Sequence, residues 1–167
     1  SIAAVEDLDR LGIRWDVGPF RQSDRIPIYL KALEKLALKG CIYPCQYSRK
    51  EISLNASSRL SPEGEPIFPV CLRAEINDLE FPLNQGINWR FRVPEAQNVS
   101  FNDTHKGLQT FTTLKDFGDF LVWRKDGMPA YELAVVVDDA DMGITEIVRG
   151  EDLLVSTARQ ILVYNAL

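Results

Sequence analysis

Ile2, Val5, Leu8 and Leu11 recur every third residue among Glu6, Asp7, Asp9 and Arg10, and Gly12 follows them. This spacing puts the apolar side chains on one face of a helix, and a glycine just beyond it supplies a common helix ending. A short strand is expected next, at residues 13–15. Within "FRQSDRIPIYLKALEKLALKG", Tyr29, Leu30, Leu33, Leu36 and Ala37 form a second apolar stripe that stops at Gly40. Ser23 or Asp24 is the expected N-cap, and Pro27 suits the first turn, where an N–H has no helical partner in any case.

"CIYPCQYS" then reads as a strand, and "SRKEISL" as a short helix, because Glu51 follows Ser48 at the capping-box spacing. From residue 55 to 85 periodicity gives way to Ser, Pro, Gly and Asn, so loop and irregular structure are expected. "NWRFRVPE" and "VSFND" alternate apolar with polar residues, and "DFLVWRKDG" reads as a strand ending in a turn at Asp126 and Gly127. "AYELAVVVDDADMG" is long enough for a helix although β-branched at its centre, and "ITEIVRG" reads as a short strand. "DLLVSTARQILVYNAL" closes the chain as an amphipathic helix with Leu153, Leu154, Ala158, Ile161, Leu162 and Tyr164 inward. Helix and strand units at both ends of a β-rich middle predict an α/β fold: residues 1–46 and 126–167 form one domain, and 47–125 a mixed, β-rich insertion.

With 167 residues, 46% of them apolar, the chain can bury one substantial core. Charged residues make up 26%, and no apolar stretch is long enough to cross a bilayer. The charges in residues 1–10 interrupt any signal-peptide pattern, so a cytosolic protein without membrane attachment is expected. A net charge of −5 leaves nucleic-acid contact to a local basic patch. Cys41, Cys45 and Cys71 are an odd set at irregular spacing and read as reduced thiols. His105 is the single histidine, so a Ser-His-Asp triad would have to use it; its ordinary place is a polar loop.

The run Asp138, Asp139, Asp141, Glu151 and Asp152 is rich enough in oxygen ligands to raise a divalent-metal site, but its spacing matches no metal loop. Acids at helix ends explain it as well, Asp152 before the last helix above all. Arg149 stands at the end of a β-branched segment, just before a glycine and a helix, where open α/β sheets bind ligands. A guanidinium there would offer a planar fork to a carboxylate or phosphate, and Tyr131 could bring a hydroxyl to the same cleft. A structural ion pair for Arg149 and a core-edge place for Tyr131 weigh equally on pattern alone.

"GMPAYELAVVVDDADMGITEIVRGEDLLVSTARQILVYNAL" resembles the second half of the catalytic domain of class I glutamyl-tRNA synthetases, and especially of their truncated paralogues, the glutamyl-queuosine tRNA(Asp) synthetases. "LGIRWDVGPFRQSDR", the "YLKALEKL…GCIYPC" stretch, "SRKEI", "WRFRVPE", "SFND" and "GDFLVWRKDG" match in the same order, so the resemblance covers nearly the whole chain. It implies a class I synthetase Rossmann-type parallel sheet carrying an acceptor-binding-like subdomain at 47–125. The implied enzyme is a ligase that uses ATP with Mg2+ to activate glutamate and passes it to queuosine of tRNA(Asp), or alternatively to tRNA(Glu), acting as a monomer. By the same resemblance Tyr131 and Arg149 hold the substrate glutamate, and Glu151, Asp152 and Leu153 border the nucleotide.

Val135 stands where some glutamyl-tRNA synthetases have asparagine, and the queuosine-directed paralogues commonly have an apolar residue there. Many paralogues bind zinc through a Cys-x-Cys pair, a tyrosine and a later cysteine. Here Tyr47 replaces the second cysteine, leaving Cys45 and Cys71 as an incomplete remnant, so no zinc is expected; Cys41 is expected to be a packed thiol. "VEDLD" is similar to the family's glutamate-site segment, but it runs straight into "RLGIRWD", and Glu6, Asp7 and Asp9 fit the solvated face of a helix better. Neither the His-x-Gly-His type nor the Lys-Met-Ser-Lys type signature of the family occurs. The chain is therefore expected to be the central part of a catalytic domain, with a non-catalytic tRNA-binding paralogue and a generic nucleotide-binding domain as alternatives.

Overall fold

A computed structural model describes residues 2–55, 57–75, 83 and 86–167. Its helices are α1 (Ile2–Arg10), α2 (Ile26–Leu38), α3 (Arg49–Leu54), α4 (Tyr131–Asp141) and α5 (Leu154–Ala166). Its strands are β1 (Ile42–Cys45), β2 (Arg59–Leu60), β3 (Pro66–Ile67), β4 (Asn88–Phe91), β5 (Asn98–Asp103), β6 (Gly107–Thr112) and β7 (Phe120–Trp123). β1, β4 and β7 form one sheet in that order, and β2–β3 and β5–β6 are separate two-stranded ribbons.

The sheet is covered on both faces, because successive side chains of a strand point opposite ways. Ile42 joins Trp89, Phe91 and Val122 in the main core with α2, α4 and α5. Tyr43 and Cys45 face the other way and pack with Ile52 and Phe68. Behind this second core Asp119, fully buried, accepts the Tyr43 hydroxyl at 2.6 Å, both Nε and Nη2 of Arg73 at 2.7 and 2.8 Å, and the Val93 N–H at 2.9 Å. Burial and the adjacent carboxylate push the Tyr43 phenol far above its ordinary range.

Several expected elements form. Gly12 ends α1 at φ 74, Ser48 and Glu51 complete the capping box of α3, and α4 spans the β-branched run. Glu6, Asp7 and Asp9 are exposed on α1. His105 lies in the exposed β5–β6 turn, where its N–H and that of Lys106 donate to Asp103, holding that carboxyl below its ordinary range.

Other expectations are corrected. The N-cap of α2 is Arg25, with no side-chain cap, because Ser23 and Asp24 are taken into a separate 3-10 turn, Gln22–Asp24. Residues 55–75 are not loop throughout: Ser61 and Glu65 close a turn that pairs β2 with β3, and a 3-10 turn follows at Val70–Leu72. The loop expected at 76–82, 84 and 85 lies outside the described residues. Tyr164 is exposed, since Leu162 and Val163 turn inward and a side chain two positions beyond Leu162 points about 200° away around a helix.

Residues 13–15 and 144–150 are not strands. Neither segment finds a pairing partner among the described residues, and without one an extended segment has no ladder; Val148 is fully solvent-exposed. The expected mixed helix and strand fold is present, and the named ladders among the described strands are all antiparallel. β1 and β4, from either side of residue 47, are neighbours in one sheet.

Candidate functional site

The first turn of α4 and the segment leading into α5 meet at one polar network. Gly143 leaves α4 in a left-handed conformation at φ 67, and the Ile144 N–H returns to the Asp139 carbonyl at 2.9 Å. This motif satisfies an orphan carbonyl and turns the chain toward Arg149. Arg149 is half-buried, and it reaches across to α5 with both ends of its fork. Its Nη1 donates to Gln160 Oε1 at 2.7 Å, and its Nη2 donates to Thr157 Oγ1 at 2.6 Å.

The network continues into α4. Gln160 Nε2 donates to Glu132 Oε2 at 2.8 Å, and Glu132 is the buried neighbour of Tyr131. Tyr131 itself begins α4 and is half exposed. The structure thus joins Arg149 to the residue beside Tyr131, through Gln160. Burial holds the Glu132 carboxyl above its ordinary range, against hydrogen bonds from Ser156 and Gln160 and the charges of Arg159 and Arg149. Asp139 is likewise raised, first by burial, with Arg149 acting in the opposite direction.

Arg149 has no carboxylate within ion-pair distance among the described residues. Its two terminal nitrogens are held by a neutral amide and a neutral hydroxyl. Such partners orient a guanidinium without cancelling its charge, which stays available to an incoming anion. This arrangement differs from the structural ion pair that sequence pattern allowed.

The remaining candidates lie just beyond. Glu151, Asp152 and Leu153 form a 3-10 turn that runs into α5. Glu151 pairs with Lys106 of the β5–β6 turn at 2.6 Å, both groups exposed. Asp152 is exposed with its carboxylate folded over Gly150, and the Leu153 carbonyl accepts from Thr157 at 3.1 Å. The aspartates of α4 divide: Asp138 and Asp141 bind Arg25 of α2 at 2.8 and 2.7 Å, whereas Asp139 lies toward Arg149. Among the described residues no group of three or more His, Cys, Asp or Glu is placed to hold a metal. Cys45 is buried and accepts Arg90 Nε at 3.3 Å, whereas Tyr47 and Cys71 are exposed.

Glu132, Thr157 and Gln160 were not singled out by sequence. The signal available was polar character on an inward face: Thr157 and Gln160 are one turn apart on α5, beside Ala158 and Leu162.

Residues 2–167 match the family model for the catalytic domain of class I tRNA synthetases (E and Q). A glutamyl-Q tRNA(Asp) synthetase of Chromobacterium violaceum is 42% identical over 98% of this chain and 52% of its own length. A glutamate–tRNA ligase of a Sulfurihydrogenibium species is 39% identical over 98% of the chain and 36% of its own length. The solved glutamate–tRNA ligase of Elizabethkingia meningosepticum, in complex with its amino acid, superposes with a TM-score of 0.71 at 26% identity, covering 96% of this chain and 36% of that one. The chain thus spans roughly a third to a half of the length of these relatives. The motif series, the mixed helix and strand architecture and the whole-chain match agree, and the chain belongs to the class I tRNA synthetase (E and Q) catalytic-domain family.

Proposed function

We propose that this chain is the central part of the catalytic domain of an enzyme that activates glutamate with ATP and transfers it to queuosine of tRNA(Asp). The observation that carries the reading is Arg149, a half-buried guanidinium oriented by neutral partners, with no carboxylate within ion-pair distance among the described residues. Tyr131 and Arg149 hold glutamate in this reading, and the turn at Glu151, Asp152 and Leu153 borders ATP with its Mg2+. The glutamate α-carboxylate attacks the α-phosphate, pyrophosphate leaves, and the acyl group of the resulting adenylate passes to an acceptor hydroxyl, which loses its proton as AMP departs. Residues 47–125 serve as the acceptor-facing lobe.

Queuosine as acceptor is favoured by the 42% identical Chromobacterium relative and by the apolar Val135 near the start of α4. Relatives named glutamate–tRNA ligase support the second acceptor, tRNA(Glu). The test is glutamate-dependent ATP–pyrophosphate exchange by the whole protein. Arg149→Ala is expected to lower kcat/KM for glutamate at least about 100-fold, the loss of a charge-assisted fork, while the fold survives. Unchanged exchange would remove Arg149 from the glutamate site. Transfer of labelled glutamate to queuosine-containing tRNA(Asp), compared with tRNA(Glu), decides the acceptor.

A further inference from the structure

We infer that Thr157 and Gln160 are positioning residues that hold the Arg149 guanidinium in a single orientation, with Glu132 fixing the direction of the Gln160 amide. The inference rests on the proposed role of Arg149 in binding glutamate, and it identifies what makes that arginine selective.

The hydrogen-bond directions are determined at every link. Glu132 is buried and accepts the Gln160 amide N–H at 2.8 Å. A guanidinium only donates, so the oxygen of Gln160 must face Arg149, and its nitrogen then faces Glu132 on α4. Flipping the amide would set its NH2 against the guanidinium and its oxygen against the carboxylate, a doubly unfavourable contact. Gln160 is itself buried, 6% exposed, so water does not relieve that conflict.

Thr157 is directed in the same way. Its hydroxyl donates to the Leu153 carbonyl at 3.1 Å, which turns the oxygen lone pairs toward Arg149 Nη2 at 2.6 Å. Thr157 and Gln160 lie one turn apart on α5, so a rigid element sets the spacing of the two acceptors. Together they use one N–H on each terminal nitrogen. Three of the five guanidinium N–H groups remain for a ligand, presented at a fixed angle.

A preoriented fork binds a carboxylate without the cost of ordering a long side chain. Loosening it should weaken glutamate binding more than ATP binding.

The experiment is ATP–pyrophosphate exchange by the whole protein, with glutamate and ATP varied separately. Gln160→Leu and the isosteric Thr157→Val are each expected to raise KM for glutamate about tenfold or more, with KM for ATP within about twofold. Thr157→Ser, which keeps the hydroxyl, is expected to stay within about threefold of wild type for glutamate. KM for glutamate unchanged in both Gln160→Leu and Thr157→Val overturns the inference. So does a parallel rise of both KM values together with a lower thermal midpoint, the mark of a general packing role. Arg149→Ala is measured alongside. If it raises KM for glutamate and the two α5 variants do not, the positioning inference alone fails; if it changes nothing, the glutamate reading fails and takes the inference with it.

Discussion

Tyr29 of α2 donates its hydroxyl to Asp138 of α4, 2.8 Å from Oδ1 and 2.9 Å from Oδ2. The same carboxylate accepts from Arg25 Nε at 2.8 Å and Gln22 Nε2 at 3.0 Å. Asp138 therefore clamps α2 to the helix whose first turn carries Tyr131 and Glu132.

Tyr29→Phe keeps the ring in the core and removes that hydroxyl. A hydrogen bond to a charged group contributes about 1.5 kcal/mol or more, so a fall of about 3–6 °C in Tm is expected. The phenol also titrates unusually: burial first, then Asp138, pushes it up to about 12. A pKa raised by folding gives stability that is complete below the unfolded value, near 10, and lost as pH rises through the folded value. Wild type should therefore lose stability between about pH 10 and 12 more steeply than Tyr29→Phe. Tyr43, raised in the same direction, remains in both proteins. Equal slopes in urea titrations across that window would refute the assignment.

Asp119 joins β7 to the second core through Tyr43, Arg73 and Val93. Its side chain is fully buried and that of Arg73 is nearly so, so truncation strands a cation and a phenol away from water. Asp119→Ala is expected to cost about 3–5 kcal/mol, the range for breaking a buried pair by removing one partner. Asp119→Asn should cost less, because it retains an acceptor and the shape. Chemical denaturation that ranks alanine above asparagine in stability would contradict this account.

Gly118 marks a backbone crossing between the stretch before β7 and β3. A Cβ at this position would lie 2.9 Å from the Phe68 backbone nitrogen and 2.9 Å from Ile67 Cγ2. A backbone nitrogen cannot rotate aside as a side-chain tip does, so Gly118→Ala must shift one segment. Overpacking of this kind costs about 1–3 kcal/mol. Thermal melting of Gly118→Ala within a degree of wild type would mean that the two segments separate freely.

Local patterns carried far into this fold. The capping box of Ser48 and Glu51 and the apolar stripe from Tyr29 to Ala37 depend on neighbours within a few residues, and both appear as expected. Strand character at 13–15 and 144–150 did not follow from β-branched residues, because a ladder also needs a second strand. The site was partly legible. Arg149 and Tyr131 stood out as candidates on pattern and resemblance, whereas Gln160 and Glu132 acquire meaning only when α4 and α5 pack together. A buried glutamine in an amphipathic helix looks like an imperfection until its two partners are known. Asp138 and Asp139 are adjacent in sequence yet serve different neighbours, since successive helix positions point about 100° apart.

Glu132 supplies a pH test of the network. Its carboxyl is held above the ordinary glutamate range, chiefly by burial, so folding favours its protonated form. Such a group contributes stability that is fully present below the unfolded pKa and lost as pH rises through the folded one. Glu132→Gln keeps an acceptor for the Gln160 amide and removes the titration. The stability of wild type relative to Glu132→Gln should therefore decline as pH rises from the acid side, and level off above the folded pKa. Paired urea denaturation at several pH values measures that difference directly. A relative gain with rising pH would show instead that Arg149 and Arg159 stabilise the carboxylate more than burial opposes it, and Glu132 would then act as a counter-charge to the arginines.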